Sequence, residues 1–415
     1  MENVKRQVRI KNKPEFVYKL GRLAENFDCH SVDSKLLNRL SKKEVFVRIG
    51  KGKKGAPLSN FYAFDRVNTK ELNRKLSIIS DVESQMKNDG HLIDGLKSYN
   101  RNLWLDFSRE SNAIEGVMTD LPIDLLDFRV ELREKIACDP KPINKNHKEI
   151  FDKYEYYKYL LNRIKEIQDN NEVITIQGNN FSHKLSMSMI RQYLAFKYAY
   201  KSAKMDRLLH RMSDKERNKI LGVEEVAKNL PKQEKKKKEE ELYRQDIERR
   251  KNEFIDLIMY VNSLISGNTT TGFRRTPIYV KGANWVPPDE NVVFEQMNNL
   301  AEFIVDDRKS GNLSPIERAA IFHAEFIRIH PFMDGNGRTG RIISNAILIE
   351  SEMPTVSIRY KNTEKYFDAI NTAVEEHDAT KICTLFEKGV EQSTNKIIEC
   401  MQFLRKKHKN EGKTL

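Results

Sequence analysis

From about Leu72 onward, apolar residues recur mostly at intervals of three and four, and this spacing predicts a mainly α-helical protein. The stretch from Ile123 to Leu264 reads as successive helices with polar connections, and Phe294 to Phe403 is helical again. Two regions break the pattern. Near the start, "EVFVRIG" and "SNFYAFD" read as short strands around a basic turn. Later, "TTTGFRRTPIYVKGANWVPPDENV" (Thr269 to Val292) interrupts the helices. There "TPIYV" has strand composition, Lys281-Gly282 supplies a turn, and Pro287-Pro288 ends the run, so a β-hairpin is expected.

Helix boundaries are legible in two places. In "SPIERAAIFHAEFIRIH", Ser314 suits the N-cap, Pro315 the first helical position and Glu317 a capping box. Apolar residues cover most of that helix, so it is expected at the centre of the fold. Pro331 disfavours helical geometry at His330, which places His330 at a helix–loop junction. In "LKSYNRNLWLDFSRESNAIEG", an amphipathic helix runs toward Gly116, a natural residue beyond a helix end, with Glu115 in the last turn. A carboxylate there opposes the helix dipole.

Length, at 415 residues, allows about two or three domains. Hydrophobic residues make up 39% and charged residues 32%, and no apolar run approaches the roughly 18 residues of a membrane helix. The start "MENVKRQVRIKNK" lacks an apolar core, so no secretory signal is expected. The four cysteines, Cys29, Cys138, Cys383 and Cys400, form no CxxC pair, which suits a reducing cytoplasm and argues against a zinc site. Net charge is +13, yet basic and acidic residues are mixed almost everywhere. That balance is read as solvated helix surface rather than as a nucleic-acid footprint. The run "PKQEKKKKEEELYRQDIERRKNEF" is read the same way, as an exposed helix or hinge supported by pairs three and four residues apart.

The candidate chemistry gathers in "IHPFMDGNGRTGR", Ile329 to Arg341. Gly335 and Gly337 permit a tight turn and a close ligand, and "RTGRIISNAILIE" resumes helical spacing. The loop therefore empties onto a helix N-terminus, where free N–H groups bind anions. Arg338 and Arg341 stand three apart in that first turn, against the dipole, which suits a polyphosphate. Asp334 suits Mg²⁺ shared with phosphate oxygens, and His330 suits a general base. "GNGRTG" and "GKGKKG" match GxGxxG formally, but neither sits in a βαβ unit, and no Walker loop exists. His323 is read as a packed helix residue, not a metal ligand.

His330 to Arg341 resembles the Fic motif HPFx[D/E]GNGRxxR at every specified position. The resemblance implies a Fic-type helical bundle core with a β-hairpin flap, and transfer of AMP from Mg-ATP to a hydroxyl of a protein target. It implies His330 as the base, Asp334 as the Mg²⁺ ligand, and Gly335, Asn336 and Gly337 as the cradle of the α- and β-phosphates. Arg338 would contact the phosphates and Arg341 the γ-phosphate, with Phe332 a core anchor. The hairpin at about 275–286 resembles the family's flap, with Thr276, Ile278 and Val280 aligning a target strand. "EKYFDAINTAVEEHD" resembles the segment over the adenine, with Tyr366 and Phe367 at its aromatic positions and Val374 where many members carry asparagine. "SNAIEG" resembles the family's inhibitory motif, so Ser111, Glu115 and Gly116 would form an inhibitory helix end, with Glu115 against Arg341 in the γ-phosphate's place.

The expected organisation is an N-terminal region at 1–95 of unassigned role, with a few short strands and helices. It is followed by an autoinhibitory helix at 96–120, an inserted or linking helical segment at 121–250, and a catalytic core at 251–405. The expected partner is a protein with a Ser, Thr or Tyr hydroxyl, with self-modification and a homodimer also open, and with neither membrane nor nucleic acid. Alternatives are transfer of another nucleotide or phosphocholine, removal of AMP with Glu115 positioning a water, or a nucleic-acid-binding or scaffold protein with an idle site.

Overall fold

The computed structural model describes residues 34–50, 60–86, 90–117, 136, 140–141, 151–178, 181–211, 232–268, 272–280 and 282–411. Among these, helices dominate and two small antiparallel sheets are the only strands. α1 (Ser34–Leu40) precedes β1 (Val45–Ile49) and β2 (Asn60–Phe64), which pair from Val45–Phe64 to Ile49–Asn60. This is the expected pair of short strands; its basic turn at 51–59 lies outside the described residues. α2 (Lys70–Met86) and α3 (Gly90–Ile114) follow, then α4 (Lys153–Asp169), β3 (Thr175–Gly178), β4 (Phe181–Lys184), α5 (Met187–Arg211) and α6 (Lys232–Ser266). The chain continues through α7 (Glu290–Val305), α8 (Asp307–Ser310), α9 (Pro315–Ile329) and α10 (Asn336–Glu350). A 3₁₀ turn (Tyr360–Asn362), α11 (Thr363–Glu376) and α12 (Thr380–Glu411) end the described chain.

The pair α9 and α10 forms the centre. α5 and α6 flank α10, while α7 and α12 flank α9, and α3 lies against α5, α10 and α12. Ile316, Ala319, Ala320, Phe322, Ala324 and Phe326 of α9 are fully buried, which accounts for its nearly continuous apolar surface. Its start has the predicted cap: Glu317 N donates to Ser314 Oγ at 3.2 Å, and Ser314 N donates to Glu317 Oε2 at 2.8 Å. The same buried glutamate takes Arg66 Nη1 at 3.1 Å. One capping residue thus also ties down the chain after β2.

Two expectations at the level of elements need amendment. The segment read as helical throughout contains the β3–β4 hairpin, whose Ile174 and Ile176 are fully buried at period two ahead of Gly178. In the expected flap, the described residues at 272–280 and 282–289 form no strand ladder. They make a turn closed by Ala283 N on Val280 O at 3.2 Å. Pro277, Pro287 and Pro288 lack the N–H groups that a ladder needs. The charged run does form a helix, α6, with Lys238–Glu241 at 3.1 Å and Arg244–Glu240 at 3.3 Å on its surface.

The N-terminal sheet is fastened beneath α9. Ala63 N donates to His377 O at 2.8 Å, and Ala379 N donates to Ala63 O at 3.0 Å. Asn60 Nδ2 and Tyr62 Oη both donate to Glu325 Oε2 at 2.7 Å, and Arg328 grips the same carboxylate through Nε at 2.8 Å and Nη2 at 2.7 Å. Burial works to raise the pKa of Glu325, but Arg328 and the two polar donors outweigh it, so the carboxylate stays below its usual range. Replacing Glu325 by alanine strands Arg328, Tyr62 and Asn60 in the interior. The expected loss is about 3–5 kcal/mol in denaturant unfolding, and a loss under about 1 kcal/mol would contradict a buried pair here.

Candidate active site

His330 ends α9 in left-handed geometry (φ 50°, ψ 61°), with its N–H on Phe326 O. A non-glycine residue holds that conformation only where its surroundings fix it. Here Arg274, whose guanidinium sits beneath the junction, does the fixing. Its Nε donates to His330 O at 2.9 Å, its Nη2 to Pro288 O, and its backbone N to Pro331 O at 2.8 Å. Arg274 thereby caps the carbonyl end of α9 and joins the flap segment to the motif. His330 Nδ1 lies 3.1 Å from Ile327 O. A carbonyl only accepts, so Nδ1 carries the proton and Nε2 keeps its lone pair. Burial lowers the pKa of His330, partly offset by Ile327 and Glu115.

The loop after it is closed by side chains. Asn336 accepts from Phe332 N at 2.9 Å and donates to Phe332 O at 2.7 Å. Its amide is consumed within the loop, so the phosphate-cradling part expected of Asn336 falls to backbone N–H alone. Asn262 on α6 donates to Asp334 O at 2.9 Å and to Thr339 Oγ1 at 3.2 Å. Gly335 takes φ 78° ahead of α10 and offers no side-chain cap. Asp334 is 77% exposed; its carboxylate accepts from Gly335 N at 2.6 Å and from Arg338 Nη2 at 3.2 Å. An exposed hard-oxygen donor beside a phosphate-shaped helix start fits Mg²⁺. Among the described residues no group of three acidic, His or Cys side chains is placed to hold a metal ion, so such an ion would take its other ligands from phosphate or water.

Arg341 is 2% exposed and fully engaged. Nε donates to Ser111 Oγ at 2.8 Å, and Nη2 donates to Ser111 O at 2.9 Å and to Glu115 Oε1 at 2.7 Å. Burial works to lower its pKa, but Glu115 holds it above the ordinary value. Glu115 follows α3, where Gly116 at φ 78° turns the chain away. The structure thus brings Ser111, Glu115 and Arg341 together although they are distant in sequence. Gly337 makes the approach possible: a Cβ there would stand 2.1 Å from Glu115 Oε1. The carboxylate therefore sits over the first turn of α10, the anion position of that helix.

α3 is held in this pose from the side. Arg359 Nη1 meets Asp106 at 2.7 Å, and Tyr360 N donates to Glu110 Oε2 at 2.6 Å. On the other flank, Ser188 Oγ of α5 donates to Asn112 Oδ1 at 3.0 Å. Of the flap residues, Thr276 Oγ1 lies 3.2 Å from Met333 Sδ, close to the motif; Ile278 and Val280 are half-buried. Trp285 Nε1 donates to Asn371 Oδ1 at 3.2 Å and ties the segment to α11. The two expected adenine aromatics differ. Phe367 is 46% exposed, whereas Tyr366 is buried beneath Arg341 with its hydroxyl 2.8 Å from His323 Nε2. Tyr366 is thus not placed to stack on a base.

Residues 252–348 match the Fic/DOC family. This Fic-like region runs from α6 to the end of α10. The chain is also 30% identical over 152 residues to a probable protein adenylyltransferase of Aquifex aeolicus, covering 37% of this chain and 45% of that one. It is 27% identical over 257 residues to protein adenylyltransferase Fic of Nematostella vectensis, covering 60% of this chain and 50% of that one. The chain therefore spans half or less of these relatives' length. Among solved structures, Fic-1 from C. elegans aligns over 80% of this chain and 73% of that one, at 19% identity and TM-score 0.44.

Arg274, Asn262 and the Tyr366–His323 pair escaped the sequence reading. Arg274 carried a faint signal, a basic residue just before the flap; Asn262 carried none. The Gly337 contact yields a test. Gly337→Ala should lower the thermal midpoint clearly in the natural chain and much less in a Glu115→Gly background, where the facing carboxylate is gone. Equal losses in both would place the strain elsewhere.

Proposed function

We propose that the protein transfers AMP from Mg-ATP to a hydroxyl side chain of a protein target and that Glu115 holds it inactive. The observation that carries this reading is the carboxylate of Glu115 on Arg341, over the start of α10, beside a histidine whose Nε2 is free to take a proton. The Fic/DOC match and the adenylyltransferase relatives support the same reading.

The residues divide the work as follows. Nε2 of His330 takes the proton of a Ser, Thr or Tyr hydroxyl as its oxygen bonds to the α-phosphorus. The bond from that phosphorus to the bridging oxygen breaks, and pyrophosphate leaves. Backbone N–H groups at Asn336 and Gly337 face the phosphates, as the dipole of α10 favours, while that of Gly335 is taken by Asp334. Arg338 steadies them, and Arg341 takes the γ-phosphate once Glu115 has left. Mg²⁺ at Asp334 would neutralise phosphate charge. Phe367 packs against the base, and the Thr276–Val280 segment aligns an extended stretch of the target by strand addition. That segment forms no strand ladder of its own among the described residues, while Thr276 O and Val280 O are already taken by Arg274 Nη1 and Ala283 N. A cytoplasmic setting, where thiols stay reduced, accommodates the two buried free cysteines Cys383 and Cys400. No helix among the described residues is long and apolar enough to cross a membrane.

With Glu115 in place, ATP can bind only with its phosphates displaced. A misplacement of about 1 Å can lower a rate on the order of 10²-fold. Glu115→Gly should therefore raise labelling of protein by α-labelled ATP by roughly that factor, and Glu115→Gly/His330→Ala should lose about 10²–10⁴-fold of it. Equal labelling by the natural chain and Glu115→Gly would refute inhibition. Full labelling by the double variant would refute the base. Competing arms with other nucleoside triphosphates and mass analysis of the adduct identify the group transferred.

The depressed pKa of His330 fixes a sign for the pH profile. The ring stays neutral, and able to accept a proton, below the pH at which a free histidine would be half charged. Removing Glu115 takes away a group that raises this pKa, so the shift persists in the active variant. The acid limb of turnover by Glu115→Gly should lie below about pH 6.5, and a limb above that value would contradict the assignment.

A further inference from the structure

Beneath Arg341 runs a chain of buried polar groups with one possible direction. Ser344 Oγ donates to Gly340 O at 2.7 Å. Its single proton is used there, so it can only accept from His323 Nδ1, 3.2 Å away. His323 therefore carries its proton on Nδ1 and offers a lone pair at Nε2. Tyr366 Oη, 2.8 Å from Nε2, must donate. Its remaining lone pairs face Arg341, whose Nη1 donates to it at 3.5 Å. Burial, reinforced by the charge of Arg341, draws His323 down to about 3, so the ring stays neutral and the direction does not reverse in the working range. Glycine at 340 admits the ring: a Cβ there would stand 3.3 Å from His323 Nδ1 and 3.0 Å from Phe326.

The geometry points to His323 and Tyr366 as positioning residues that hold Arg341 ready for the terminal phosphate of a nucleoside triphosphate, and so set the preference for a triphosphate over a diphosphate. This rests on the transferase reading above. Ser111 and Glu115 reach Arg341 from α3, and both partners leave if α3 withdraws. Tyr366 stands on α11 and His323 on α9, so their hold survives that withdrawal. Without them, a buried arginine would lose its last fixed acceptor just when it must meet the ligand.

The test measures calorimetric affinities for ATP and ADP in the Glu115→Gly protein, alone and with Tyr366→Phe, His323→Leu or His323→Gln. Tyr366→Phe and His323→Leu should narrow the ATP-over-ADP preference roughly threefold to tenfold, the worth of one hydrogen bond, with ADP affinity unchanged. KM for ATP should rise while kcat holds. His323→Gln keeps an acceptor for Tyr366 and should retain the preference. An unchanged ratio, or ATP and ADP weakened alike, would overturn the assignment. A second arm needs no nucleotide: unfolding midpoints of Tyr366→Phe, Glu115→Gln and the double variant. The two shifts should fail to add, since both residues hold one guanidinium; additive shifts would overturn the proposal. If Glu115→Gly binds neither nucleotide, the transferase reading fails, and the unfolding arm still judges the positioning.

Discussion

A buried arginine at the positive end of a helix is the constraint on which the rest of this structure depends. Arg341 lies in the second turn of α10 at 2% exposure, and the first turn of that helix contains no acidic residue. The dipole and the guanidinium add, and burial removes the water that would screen them. Such a site requires an anion. In this structure the anion is Glu115, delivered by α3 and admitted by the missing side chain of Gly337. The carboxylate is also misplaced from its own helix's standpoint, because it sits at the negative end of α3. Two local electrostatic mismatches, one on each helix, cancel when the helices meet.

Around that contact the loop from His330 to Gly335 is fixed on several sides. Arg274 clamps the carbonyls at the end of α9, Asn336 clamps Phe332 at both backbone atoms, and Asn262 spans from α6 to Asp334 and Thr339. These contacts come from elements of the core, and none involves α3. α3 is held by ion pairs from Arg359 to Asp106 and Glu110, a backbone bond from Tyr360, a polar contact to α5, and the packing of Trp104 and Phe107 against Phe196 of α5. Asp106 is 1% exposed and Glu110 13%, so these are buried pairs, and parting them costs more than parting surface ones. The loop is thus preorganised without help from α3, which meets it through Ser111, Glu115 and Arg341.

Much of this was legible in the sequence because local chemistry announced it. Ser314, Pro315 and Glu317 marked the start of α9, Pro331 marked its end, and Gly116 marked the end of α3. The strand-favouring runs Val45–Ile49 and Asn60–Phe64 disclosed the first sheet. What stayed hidden depends on distant partners. Nothing near Asn262 signals that its amide will span to Asp334, and nothing near Tyr366 signals that its ring will lie under Arg341. Motif position sets Tyr366 in the segment over the adenine, but residue type and motif position do not reveal its burial under Arg341. Asn336 was read as a phosphate ligand because its capture by Phe332 is a property of the folded loop. The flap lacks its expected ladder for a local reason: three prolines remove donors that strand composition alone does not count.

The account's central claim is that Glu115 and a terminal phosphate occupy one place on Arg341. A crystal structure of Glu115→Gly with Mg²⁺ and a non-hydrolysable ATP analogue tests it most directly. The account predicts the γ-phosphate on Arg341, over Gly337, with the α-phosphorus facing His330 Nε2. A γ-phosphate lodged elsewhere, with Arg341 still turned toward Ser111 and away from the ligand, would contradict it.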